Sequence, residues 1–142
     1  MAYDSNNIFA RILRGEIPAF KVYEDAHTVA FMDVMPQSDG HTLIVPKAAA
    51  ENIYELPQAS LHSLINTTQL IARAAKQAFS ADGITVMQFN GEAAGQTVFH
   101  IHFHVVPRYA GTPMRLHGRE MADKALLAEQ AEKLKHALTA LL

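Results

Sequence analysis

Histidines occupy every second position in the run His100-Ile101-His102-Phe103-His104, with apolar residues between them. On an extended strand side chains alternate faces, so the imidazoles share one side while Phe99, Ile101, Phe103 and Val105 share the other. Successive rings would stand roughly 7 Å apart. The apolar side suits packing on a helix, but a core makes no demand for a row of nitrogen heterocycles on the opposite side. Such a row has several readings. It can be the polar face of a solvated sheet, or a set of neutral imidazoles presented to a zinc ion. It can also do chemistry on phosphorus, because a neutral imidazole is a good nucleophile near neutral pH and leaves readily once it carries a phosphoryl group. In that reading the middle ring, His102, attacks while protonated neighbours stabilise the equatorial oxygens. The attacking ring must keep the proton on its far nitrogen, most simply by donating it to a backbone carbonyl. Flanking donors at His100 and His104 fit that geometry.

Elements able to hold this row can be read on either side of it. Ile8, Phe9, Ile12 and Leu13 recur at helical spacing between Asn7 and Arg14, and Gly15 follows where a helix would stop. Phe20 to Tyr23 and Thr28 to Val34 read as a hairpin, and His41 to Val45 as a strand closed by Pro46. Between Pro57 and Phe79, a stripe of Leu61, Leu64, Ile65, Ile71, Ala75, Ala78 and Phe79 predicts the main helix. Asp82-Gly83 turns the chain into Ile84 to Phe89, and a long strand is expected from Thr97 to about Val106, stopped by Pro107. Leu127, Ala131, Leu134, Leu138 and Leu141 form a last helical stripe, to be docked on the domain or on a twin. Strands in two groups around a central helix predict an α+β fold with an antiparallel sheet.

With 142 residues, 49% hydrophobic and 18% charged, the chain should fold as one domain spanning 1–142. A net charge of −2 without a Lys/Arg run argues against nucleic acid or an anionic membrane as partner. The chain has no cysteine, which excludes disulfides, thiolate nucleophiles and Cys-based zinc sites. Neither a leader-like start nor an apolar run of about 18 residues is visible, so a soluble cytoplasmic protein is the expectation.

His100-Ile101-His102-Phe103-His104-Val105-Val106 matches the pattern His-φ-His-φ-His-φ-φ, φ being apolar, and here the sequence resembles the histidine triad (HIT) family. The similarity runs from about Asn7 to Tyr109. It includes Ile8-Phe9, Gly15-Glu16-Ile17-Pro18, Asp33, the run Gly40-His41-Thr42-Leu43-Ile44-Val45-Pro46-Lys47, Asn90-Gly91 and Gly95-Gln96-Thr97-Val98. It looks like the bacterial histidine-triad nucleotide-binding branch, which implies a HIT-like five-stranded sheet over about 7–110, extended by dimerisation, with a flap and helix over 111–142.

The resemblance also implies residue roles. His102 would carry a nucleotidyl intermediate that water releases as a nucleoside monophosphate such as AMP, and the substrate would be a purine nucleoside phosphoramidate or a related ester or anhydride. His104 and His41 would contact the phosphate, Gln96 and Thr97 would hold phosphate and leaving-group oxygens, and His100 would support the site from behind. Asp33 would accept both ribose hydroxyls, Phe9, Ile12, Phe31 and Val34 would line the base pocket, and Asn90 would add a contact in the phosphate loop. Some bacterial relatives hold a structural zinc on a Cys-x-x-Cys, a later His and the first triad histidine. Here those places fall on Asn7, Ala10, Ala49 and His100, so no metal and no other cofactor is expected. Dinucleoside polyphosphate hydrolysis, from Gly95-Gln96-Thr97-Val98 with Pro107-Arg108, and nucleotide sensing without turnover stand as rivals.

Overall fold

A computed structural model describes residues 2–116 and 120–142. The elements, in order, are α1 (Ile8–Leu13), β1 (Lys21–Glu24), β2 (Thr28–Met32), β3 (Thr42–Pro46), α2 (Gln58–Ala78), β4 (Gly83–Met87), a short 3-10 turn (Glu92–Ala94), β5 (Phe103–Arg108) and α3 (Lys124–Thr139). The strands form one antiparallel sheet in the order β1-β2-β3-β5-β4. This is the expected α+β architecture.

Alternation along the central strands divides the interior into two cores. Ala30, Met32, Ile44 and Val105 face α2 and α3, where Leu64, Ile71, Leu134 and Leu138 are buried with them. Val29, Phe31, Leu43 and Val45 face the opposite way and pack with Phe9 and Ile12 of α1. Both faces of β2 and β3 are therefore covered, and every residue of these strands is buried. The α1 side holds the site, and α1 begins where Asn7 accepts from the Ala10 N–H at 2.9 Å as its N-cap.

Three expectations are corrected. Ile65 is 45% exposed, and the α2 face that packs inward runs through Leu64, Thr67, Thr68, Ile71, Ala74 and Ala75. Leu127, Leu134 and Leu138 of α3 dock on the domain, the first of the two placements expected, whereas Leu141, expected in the same helical stripe, falls beyond the helix and is exposed. The histidine strand starts late: β5 begins at Phe103, because Thr97 to His102 pairs with no strand among the described residues and is anchored instead by Ile101 N–H to Ala50 O, at 2.9 Å. It also ends late, running through Pro107 to Arg108. β3 pairs with β5 only as far as Val105, so the side that proline leaves without a donor has no strand beside it. The Ser38 hydroxyl donates to the Pro107 carbonyl there, at 2.7 Å.

Candidate active site

The histidine run keeps its alternation although half of it lies outside the sheet. Ile101 and Val105 point into the helix-side core, and His104, opposite Leu43, points to the α1 side. His102 and His104 stand with ring centroids 4.9 Å apart, closer than the spacing of an ideal strand. Together they form the inner wall of a cavity of about 270 Å³ whose remaining lining is mostly apolar: Phe9, Ile12, Phe31, Val34, Leu43 and Val98 among others, with Asp33 and Thr97 at its polar margins. The Phe9 ring meets the His102 ring edge-on at 4.8 Å and the Phe31 ring at 5.5 Å.

Proton positions in the site follow from partners that can only donate or only accept. His102 Nδ1 lies 2.7 Å from the His100 carbonyl oxygen, which only accepts, so the proton sits on Nδ1 and the lone pair on Nε2. The backbone N–H of Gln37 donates to His41 Nδ1 at 3.0 Å, which puts the proton of a neutral His41 on Nε2. His41 Nε2 is 2.9 Å from His104 Nδ1 and donates to it, so a neutral His104 carries its own proton on Nε2. The same His41 nitrogen lies 3.5 Å from Asp33 Oδ2, while Asp33 Oδ1 accepts from the Met35 N–H at 2.8 Å. The two rings at the cavity wall thus differ: His102 presents a lone pair on Nε2, His104 an N–H.

Asp33, His41 and His104 bring one donor atom each within 4.8 Å of one another, close enough to be tested as a metal cage. They are arranged as a hydrogen-bond chain instead. Tetrahedral ligands at about 2.0–2.1 Å from zinc are roughly 3.3 Å apart, whereas His41 and His104 approach to 2.9 Å, and the nitrogen that would have to ligate is the one Gln37 obliges to carry a proton. A structural zinc does not fit either. Asn7 is spent on capping α1, Ala10 and Ala49 offer no donor, and both His100 nitrogens are occupied: Nε2–H donates to the Pro46 carbonyl at 2.8 Å and Nδ1 lies 2.6 Å from the Tyr3 hydroxyl. Burial pushes the His100 pKa below the usual histidine range, against the smaller opposing effect of the Pro46 hydrogen bond, and keeps the ring neutral.

Of the residues expected from sequence, Phe9, Ile12, Phe31, Asp33, Val34, Thr97, His102 and His104 line one cavity. Four others lie off it. His41 is fully buried behind the cavity wall, in contact with His104 and Asp33. His100 sits behind His102. The Gln96 side chain is consumed by backbone: Nε2 donates to the Glu51 and Val98 carbonyls at 2.7 and 3.0 Å, and Oε1 accepts from the Gly91 N–H at 2.7 Å. Asn90 is likewise spent on the Ile53 N–H and the Gln88 amide, at 2.8 Å each. Gln96 thereby braces the start of the Gly91–Gly95 loop, and Asn90 ties the chain just before it to Ile53 and Gln88.

Sequence reasoning missed Tyr3 and the Gln37 N–H, which lie outside any periodic pattern, and gave no role to Ile17, Pro18 and Ala19, which complete the wall of the cavity. The histidines outside the run and His41 stand apart from the cavity: His27, His62 and His136 are exposed, and His117 lies outside the described residues. Two described residues before α3 touch the loop between Asp33 and His41: Arg115, whose N–H donates to Gln37 O at 2.7 Å and whose guanidinium meets Asp39 at 3.1 Å, and Ala122, whose N–H donates to Val34 O at 2.9 Å.

Comparison with known proteins closes the case for ancestry. The HIT domain family matches residues 14–111. Protein hit of Bacillus subtilis is 44% identical over 104 residues, 73% of this chain and 72% of that protein. An adenylylsulfatase of Arabidopsis thaliana is 34% identical over 124 residues, 83% of this chain and 63% of that protein. The crystal structure of a Hit-like protein involved in cell-cycle regulation from Bartonella henselae superposes with a TM-score of 0.90 at 48% identity, covering 96% of this chain and 99% of that one. With its histidine run, its open antiparallel sheet and these relatives, the chain belongs to the HIT domain family.

Proposed function

We propose that the protein is a nucleotide-binding hydrolase that cleaves a purine nucleoside phosphoramidate, or a related nucleotide ester or anhydride, through a nucleotidyl intermediate on His102. The observation that carries this reading is the hydrogen bond from His102 Nδ1 to the His100 carbonyl, which fixes the ring proton on Nδ1 and the lone pair on Nε2 of a ring that walls an apolar, base-sized cavity. Phe9, Ile12, Phe31 and Val34 sandwich the base, Asp33 accepts the ribose hydroxyls, and the α-phosphorus comes to His102. Nε2 forms a bond to phosphorus as the bond to the leaving group breaks, and the positive charge left on the ring is eased by the Nδ1–H···O=C bond. The His104 N–H, held in that tautomer by His41, hydrogen-bonds a phosphoryl or leaving-group oxygen, with Thr97 beside it. Water then attacks the same phosphorus, breaks the P–N bond and releases a nucleoside monophosphate such as AMP.

The test is a chelator-treated assay of adenosine 5′-phosphoramidate, adenylyl sulfate and a diadenosine polyphosphate, with wild type and His102→Ala. His102-dependent release of AMP supports the reading and the preferred leaving group names the branch. Tight AMP binding without turnover of any of the three sinks it in favour of a nucleotide-binding regulator. The Arabidopsis relative favours keeping the anhydride arm. We further propose a cytoplasmic homodimer, consistent with the absence, among the described residues, of a helix long and apolar enough to cross a membrane and with an open edge at β4.

A further inference from the structure

We propose that Tyr3 is a positioning residue for the triad, its hydroxyl holding the His100 ring and through it the carbonyl that sets the tautomer of His102. The inference rests on the reading of His102 as nucleophile. The Pro46 carbonyl only accepts, so His100 Nε2 carries the ring proton, and the neutral ring is left with a lone pair on Nδ1 inside a site where it is 1% exposed. The Tyr3 hydroxyl, 2.6 Å away, donates to that lone pair, and the two rings meet edge-on at 5.6 Å. His100 is therefore gripped on one side by the end of β3 and on the other by the segment that precedes α1.

This grip matters because of where His102 sits. The ladder of β5 starts only at Phe103, so anchors outside the sheet hold the stretch bearing His100 and His102, among them the Ile101 N–H on Ala50, the His100 ring on Pro46, and Tyr3 on His100. The His100 carbonyl is the partner of His102 Nδ1. Any rotation of the His100 backbone moves that carbonyl and frees the proton to migrate to Nε2, where it extinguishes the nucleophile. The Tyr3 segment has its own attachments, Arg14 to the Ser5 carbonyl at 2.7 Å and the Asn7 amide to the Asp4 carbonyl at 2.7 Å, so removing the hydroxyl leaves the segment in place.

Tyr3→Phe keeps the ring contact and deletes only the donor. We expect its kcat for AMP release from adenosine 5′-phosphoramidate to fall roughly 10- to 100-fold with KM within about twofold, and the ring-nitrogen NMR signals of His102 to pass from a single Nδ1–H tautomer to a mixture. A melting curve recorded in parallel separates positioning from bulk stability. A lower Tm with unchanged kcat and unchanged His102 signals overturns the proposal, as does a variant indistinguishable from wild type. If the wild type shows no His102-dependent turnover, the functional reading fails, and the NMR comparison still decides whether Tyr3 sets the tautomer.

Discussion

A carbonyl places the proton on His102 and a neighbouring ring places the one on His104, so two identical side chains 4.9 Å apart acquire different chemistry. His102→Ala should cost about 10⁴-fold in kcat while AMP still binds, as a single-turnover assay with labelled nucleotide and equilibrium dialysis would show; full activity with an intact covalent adduct would refute the assignment. His41 acts one ring further back. His41→Ala leaves His104 Nδ1 without its donor, and kcat should fall roughly tenfold or more with little change in AMP affinity, measured by the same two assays. The buried His100 adds a pH dependence to stability. Its folded pKa lies below that of the unfolded chain, so the unfolded state binds the proton first on acidification. Stability from this ring is fully present above about pH 6.5 and is lost as pH falls below it toward the folded pKa. In denaturant titrations the stability of wild type should fall more steeply between about pH 6.5 and 5 than that of His100→Asn, by at most about 1.4 kcal/mol per pH unit; parallel curves would contradict it. At this scale His102 and His104 were legible because alternation with apolar residues sends them to one face, whereas the chain bends before Ile101 and turns the His100 ring, expected as a flanking donor, back onto Pro46 and Tyr3. The side chains of Gln96 and Asn90 were not, because their partners, Glu51 and Ile53, come from a loop distant in sequence.

Elements carry these residues to the cavity, and a few tight approaches decide their seating. Gly40, immediately before His41, has φ +87°, and a Cβ there would lie 2.6 Å from the Phe79 ring just beyond α2. Backbone sign and steric clash act together, so Gly40→Ala should destabilise by about 1–3 kcal/mol and should lower kcat as well, by displacing His41. Gly83 at the start of β4 is the internal control: nothing lies within 4 Å of an added Cβ and its φ is ordinary, so Gly83→Ala should leave Tm and kcat essentially unchanged. A Gly40→Ala protein melting with wild type would dismiss the argument. Helices α1, α2 and α3 were legible from periodicity, since an amphipathic stripe is a local property. Strand limits were less so. Whether Thr97 to His102 pairs depends on how far β3 extends, and whether Pro107 ends β5 depends on which neighbour remains beside it; both are facts of sheet assembly that the local sequence does not contain.

At the scale of the whole molecule, the burial of the α3 leucines within the domain removes one of the two surfaces that could recruit a second copy and leaves the sheet edges. The two edges are unlike. β1 is short, carries Lys21 and Glu24, and has an irregular register against β2, all of which blunt edge pairing. β4, Gly-Ile-Thr-Val-Met, is uncharged, keeps a regular register with β5 over its whole length, and leaves Val86 46% exposed. An isologous pairing of β4 with its twin would continue the sheet across a two-fold axis and cover that valine. On this argument wild type elutes as a dimer in light-scattering chromatography at micromolar concentration, and Val86→Lys, which brings one positive charge from each copy into the seam, shifts it toward monomer. A Lys21→Ala, Glu24→Ala variant at the opposite edge should leave the dimer intact. Dimer persisting in Val86→Lys but lost in the β1 variant would move the interface to the other edge, and a monomeric wild type would remove the pairing altogether.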